Sequence, residues 1–193
     1  MPRTKEFDPD EAIEKAMHVF WHKGYESTST EDLLEAMDLN RSSLYNTFGD
    51  KRQLFLKVMD RYCQCVVGPN FSLLDQPGPA LPALRKFVQT MIQAGLADPQ
   101  RRGCLVANTI MELGPHEPDI AGKLNRIFKM GEDTFFSVLT RAKGQNELGP
   151  EKDPRILARF FMTMMQGTIV MIKAGASANA LTQTTDTALS ILD

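Results

Sequence analysis

At 193 residues, with 42% apolar and 24% charged side chains and a formal net charge of −2, the chain has enough material for one or two small domains with a proper core, and too little positive charge to hold nucleic acid by bulk electrostatics. No basic run leads into an apolar segment at the start, and the most apolar stretch near the C-terminus is broken by Thr163, Gln166, Gly167 and Thr168, so neither a secretory leader nor a membrane span is expected. Cys63, Cys65 and Cys104 are an odd set without paired metal-ligand spacing, which points to a reducing cytoplasm, no metal and no cofactor.

Apolar residues recur at helical spacing along the whole chain and strand alternation is absent, so the expected class is all-α, with about nine helices. A first helix is expected to start at Asp8, with Pro9 in its first position, and to place Ile13, Ala16, Met17 and Phe20 on one face. Thr28 with Glu31 and Ser29 with Asp32 both offer a capping-box start to a second helix running through Met37. Asp38 then takes a left-handed corner, Asn40 caps a short third helix over Arg41 to Thr47, and Gly49 ends it. Asp50 with Gln53 opens a fourth helix, expected to stop at Gly68-Pro69.

The third helix carries the chemistry. It is too short to be stable alone, and with Leu44 and Phe48 turned inward it leaves Arg41, Ser42, Ser43 and Asn46 on the other side. Two short helices joined by a three-residue turn, the second presenting small polar groups, read as a helix-turn-helix whose second helix enters a DNA major groove. Arg41 is its one side chain able to bond guanine O6 and N7 together; a phosphate clamp or a solvated cation is the alternative for it. Tyr45 offers a hydroxyl to a phosphate oxygen, and Lys51 lies in the first turn of the next helix, where anions are favoured. Acids outnumber bases through Arg52, but none falls between Asp38 and Asp50, so binding is expected to be specific and salt-sensitive. Arg3 and Lys5 are candidates for a minor-groove arm, with a solvated terminus as the alternative.

The order Gly24-Tyr25, Thr28-Ser29, Leu33, Ala36, Leu39, Leu44-Tyr45, Phe48, Lys51 and Leu54 resembles the N-terminal signature of the tetracycline-repressor (TetR) family of transcriptional regulators. Two positions depart from it: Asp38 stands where the family usually has Gly, and Ser42 where Gly or Pro is frequent. The resemblance implies that Arg41, Ser42 and Ser43 meet base edges, that Thr28, Tyr45, Asn46 and Lys51 hold phosphates, and that a larger helical part binds an inducer and dimerises. The corresponding division is a DNA-binding head over 1–52 and a ligand-binding and dimerisation part over 53–193.

Beyond the Pro- and Gly-rich run ending at Pro82, helices are expected around Leu84 to Leu96, Gly103 to Leu113, Pro118 to Gly144, from Pro154 onward, and from about Asn179 to Leu192. Eleven Met and eleven Phe, most of them beyond residue 54, supply adaptable walls for a pocket expected between the helix from Asp50 and the central helices. Cys104, Asn108, Glu112, His116, Phe128 and Phe135 are the candidate ligand contacts, with ordinary core packing as the alternative. Leu157, Phe161, Met164, Met165, Thr168 and Ile172, with Leu189 of the last helix, are the candidate dimer contacts of a four-helix interface suited to a palindromic operator.

The function expected is a repressor released from double-stranded operator DNA by a small-molecule inducer. Arg101-Arg102-Gly103-Cys104 also suggests a thiol sensor of oxidants or electrophiles, the alternative being a structural cysteine. A ligand-binding or adaptor protein that does not touch DNA is the third reading. An enzyme is not expected, because Cys104 and His116 come with no positioning acid or oxyanion loop.

Overall fold

The computed structural model describes residues 7–193, so the candidate arm residues Arg3 and Lys5 lie outside the described part. Ten α-helices and no strands occur among the described residues: α1 (Pro9–Lys23), α2 (Thr30–Met37), α3 (Arg41–Phe48), α4 (Lys51–Tyr62), α5 (Gly68–Ser72), α6 (Ala80–Ala97), α7 (Leu105–Leu113), α8 (Pro118–Gly144), α9 (Pro154–Lys173) and α10 (Ala178–Leu189). All but the five-residue α5 were anticipated, and α6 begins one turn earlier than the spacing predicts, with Pro82 tolerated in its first turn. Gly68-Pro69 does not end the helical path. The backbone widens into a π-turn at Cys63–Val67 and resumes as α5, placing the wider turn ahead of a proline that has no N–H to give.

Contacts divide the chain after Val67, not after Arg52. The predicted border is corrected because α4 belongs to the head: Leu54, Phe55, Val58, Met59 and Tyr62 are buried there. The Phe55 ring stands edge-on to Phe20 of α1 at 4.9 Å, and Tyr62 edge-on to Trp21 at 5.0 Å. Each such aromatic pair adds about 0.5–1.5 kcal/mol to the area it buries. Arg61 of α4 also reaches the carboxylate of Glu14 on α1.

The second unit, Gly68–Asp193, is built on the antiparallel pair α8 and α9 with α6, α7 and α10 packed around it. Its centre is aromatic: Phe135 has ring contacts with Phe71, Phe87 and Phe161 at 5.8, 5.7 and 6.3 Å. Gly131 lets α8 approach, since a Cβ there would stand 3.0 Å from the Phe71 ring and 3.2 Å from the Met162 sulphur. By length and composition α9 is apolar enough to cross a bilayer, at a mean hydropathy of 1.3. Its Leu157, Ala158, Phe161, Met165, Thr168 and Ile172 are nonetheless buried in the unit, and Arg155 and Arg159 pair with Glu132 on α8.

Candidate nucleic-acid interface and ligand cavity

The two overlapping capping boxes before α2 compete, and Ser29 with Asp32 wins. Ser29 Oγ accepts from the Asp32 N–H at 3.0 Å, and Asp32 Oδ2 accepts from the Ser29 N–H at 2.9 Å. Asp32 also accepts from Lys23 Nζ at 2.7 Å, which ties the end of α1 to the start of α2. That hydrogen bond, followed by those from Ser29, holds the Asp32 carboxyl down to about 2.

Because Ser29 caps α2, its neighbours are released to other tasks. Thr28 turns inward, is buried, and donates its hydroxyl to the Gly24 carbonyl at 2.6 Å. The expected phosphate contact of the Thr28 side chain is therefore corrected: its hydroxyl is used inside the head. Glu31 turns outward and pairs with the guanidinium of Arg41 across the turn. This partner of Arg41 was missed, since the sequence offers Glu31 as a capping residue on equal terms.

The corner follows the expected chemistry. Asp38 adopts φ 53°, ψ 49°, and the Asp38 and Leu39 N–H groups return to Glu35 and Leu34 at 3.2 and 3.0 Å, the doubled closure of a Schellman motif. Asn40 Oδ1 accepts from the Ser43 N–H at 2.8 Å and starts α3, and Gly49 at φ 80° ends it. Leu44 and Phe48 are buried one turn apart and together anchor α3 by about 3–6 kcal/mol of apolar burial.

Arg41, Ser42, Tyr45 and Asn46 thereby form one exposed face, while Ser43 is half-buried. Asn46 Nδ2 donates to Ser42 Oγ at 3.3 Å, holding the two as a pair of adjacent hydrogen-bonding groups. Tyr45 is 46% exposed, which is high for a tyrosine serving only as core. Lys51, the first residue of α4, sets its ammonium 4.4 Å from the centre of the Tyr25 ring. The face is thus polar, capped at both ends and fixed from behind.

In the second unit the candidate ligand residues scatter. Phe135 is fully buried in the aromatic cluster and is corrected to a core residue, and His116 is exposed in the turn after α7. Phe128 and Glu112 are half-buried on α8 and α7. Asn108 alone of the six lines the cavity described, of about 230 Å³, with Ala107 and Met111 of α7 and Ile169, Val170 and Lys173 of α9. Sequence reasoning missed Lys173, although Ile169 and Lys173 stand one turn apart on α9.

Cys104 is half-buried at the N-cap of α7. The guanidiniums before it are engaged elsewhere. Arg101 Nη1 donates to the Ile172 carbonyl near the end of α9 (3.5 Å) and to the Ala176 carbonyl in the turn after it (3.3 Å), and Arg102 Nε pairs with Asp98 at 3.1 Å. Burial pushes the Asp98 carboxyl up, but hydrogen bonds from Arg102 and Gln100 outweigh it and hold the group below the usual range. Gly103 at φ 72° carries the chain past Ile169 and Lys173, where a side chain would stand 3.4–3.8 Å from both.

The candidate dimer residues are also corrected. Leu157, Phe161, Met165, Thr168 and Ile172 of α9 and Leu189 of α10 are buried within the unit, and Met164 packs against its core. The apolar residues α9 leaves outside are Ile156 (64% exposed), Phe160 (38%), Val170 (42%) and Met171 (52%). With Thr163 and Gly167, both exposed, Ile156, Phe160 and Val170 repeat at spacings of four and three. Such a repeat makes a seam for another helix.

Residues 12–58 match the family model for bacterial regulatory proteins of the tetR family, and residues 80–188 match that of the tetracyclin repressor-like C-terminal domain. The HTH-type transcriptional regulator YezE of Bacillus subtilis is 37% identical over 195 residues, with both chains covered in full. The HTH-type transcriptional repressor ComR of Escherichia coli is 32% identical over 190 residues, covering 98% of this chain and 90% of that one. A solved structure of a cysteine mutant of the TetR family regulator CifR, complexed with 26-base-pair operator DNA, matches at a TM-score of 0.89 and 27% identity, over 99% of this chain and all of that one. With both halves of the family pattern present and the two capped helices of the head in place, the chain belongs to the TetR family of transcriptional regulators.

Proposed function

We propose that this chain is a homodimeric, inducer-released repressor that binds a palindromic operator through α3 and acts in the cytoplasm, without enzymatic chemistry. The observation that carries the reading is the exposed polar face of α3, held by caps at both ends and by buried Leu44 and Phe48. Arg41 reads a guanine edge and Ser42 and Ser43 lie over neighbouring bases, while Tyr45, Asn46 and Lys51 hold phosphates and set register. The outward face of α9 supports dimerisation, since an apolar seam of this length is rarely left to water on a monomer. Two copies then place their α3 helices about 34–36 Å apart, one turn of DNA. An inducer in the second unit that prefers a different spacing lowers operator affinity, with a typical coupling of about 1–3 kcal/mol.

The test is fluorescence anisotropy on DNA upstream of the protein's own gene, against a scrambled duplex at the same salt. Tight binding to the former that Arg41→Ala weakens selectively supports base readout. Equal losses on both duplexes make Arg41 a phosphate clamp, and no binding to either refutes the reading.

A second reading is favoured by the place of Cys104, half-buried at the start of α7 with no side-chain hydrogen bond capping the helix. A small electrophile that reaches this thiol would act as the releasing signal. Treatment with a maleimide should then free operator from the wild type and leave Cys104→Ser bound; unchanged binding in both ends this alternative.

A further inference from the structure

We infer that the cleft between α7 and α9 is a binding site for a small amphipathic carboxylate, an aromatic acid or a medium-chain fatty acid. Its walls are apolar, from Ala107 and Met111 on one side and Ile169 and Val170 on the other, and Met111 is 58% exposed, so a hydrocarbon body gains contact there that water does not give. Its volume of about 230 Å³ exceeds the roughly 150 Å³ of an apolar cavity known to take up benzene, leaving room for a ring or short chain plus a charged head.

The head group is specified by charge. Lys173 lines the cleft, and its ammonium donates to the neutral Oδ1 of Asn108 at 3.0 Å. Among the described residues no carboxylate pairs with it. Asn108 is held in place by its own amide, which donates to the Arg102 carbonyl at 2.9 Å, so the Lys173 bond is to a fixed acceptor. Arg101 adds a second positive charge at the end of α9, bonded to backbone carbonyls and not to an acid, whereas Arg102 is neutralised by Asp98. An ammonium over an apolar slot, with a fixed amide beside it, fits a carboxylate on a hydrocarbon body.

Val170 belongs both to this cleft and to the outward seam of α9, so a second copy of the chain is the competing occupant. That the acid acts as inducer rests on the repressor reading; that it binds does not. The experiment is isothermal titration of the full chain with octanoate and benzoate, and with octanamide as the neutral control. It is run on the wild type, Lys173→Met and Met111→Trp, with the mass of each protein checked by light scattering.

At least one acid is expected to bind the wild type and to lose tenfold or more in affinity in both variants, and octanamide should bind at least tenfold more weakly than octanoate. The inference is overturned if neither acid binds, if the variants bind as well as the wild type, or if acid and amide bind alike. It is also overturned if Met111→Trp splits the dimer while no acid binds, which assigns the cleft to the second copy. A protein that takes up the acid but ignores operator DNA refutes the repressor reading and leaves the site standing.

Discussion

Glu31→Gln isolates what the Arg41 side chain does before DNA arrives. In the free protein its guanidinium is paired with Glu31, and both side chains are largely in water, 58% and 69% exposed. An exposed pair of this kind contributes about 0–1 kcal/mol, whereas a bidentate Arg–guanine contact gives about 1–3 kcal/mol of discrimination. DNA therefore wins the arginine, less the small free energy of breaking the pair. Removing the Glu31 charge takes away that competitor and a carboxylate beside the duplex. Operator affinity should rise by up to about fivefold, the equivalent of about 1 kcal/mol, while urea unfolding shifts by less than about 1 kcal/mol. Anisotropy on operator and scrambled duplex at fixed salt measures the first effect. A fall in operator affinity would refute the competition argument and make Glu31 the residue that orients Arg41 for its base; the Arg41→Ala, Glu31→Gln double-mutant cycle then gives the coupling directly.

Gly167 sits in open space on the outward face of α9, where an added side chain meets nothing in the protomer. Gly167→Arg should leave the protomer folded, gaining about 0.5–1 kcal/mol of helix stability, while halving the mass seen by light scattering; an unchanged dimer places the interface elsewhere. Thr28→Val removes the hydroxyl that reaches Gly24 and should cost about 0.5–1.5 kcal/mol of stability. Its operator affinity at low temperature should be nearly unchanged, and a large loss there with stability intact would restore Thr28 to the DNA contacts. Asp32 is held at about 2 in the folded head against a usual 3.8, so its contribution is complete above about pH 3.8 and is lost as the pH falls toward 2. Lys23→Met should move the Asp32 titration, followed by carboxyl carbon NMR, back up toward 3.8, and an unmoved titration would assign the depression to the Ser29 cap alone.

The head was legible because its signals are local. Caps at Asp8, Asn40 and Asp50, the left-handed Asp38 and the inward pair Leu44 and Phe48 are each set by residues within one turn of chain. Where two local signals overlapped, at Thr28-Ser29, the sequence offered both caps and could not say which would leave its threonine buried and its glutamate free for Arg41. The second unit was legible as helices and illegible as surfaces. Periodicity marks α9 as apolar on more than one stripe, but which stripe faces α8 depends on contacts from distant parts of the chain, such as Phe71 and Phe87 around Phe135. The apolar residues assigned to the dimer were accordingly those that fill the core, and Ile156, Phe160 and Val170 were left for the outside. Lys173 was missed for the same reason: its partner Asn108 lies 65 residues away.

Hydroxyl-radical footprinting on the DNA upstream of the protein's own gene shows whether two α3 helices seat in successive major grooves. Protected backbone is expected at two symmetric half-sites whose centres lie about 10–10.5 base pairs, or a small multiple, apart, with protection lost in Arg41→Ala at equal protein concentration. A duplex cut evenly along its length at low ionic strength, with folded protein present, would contradict this seating.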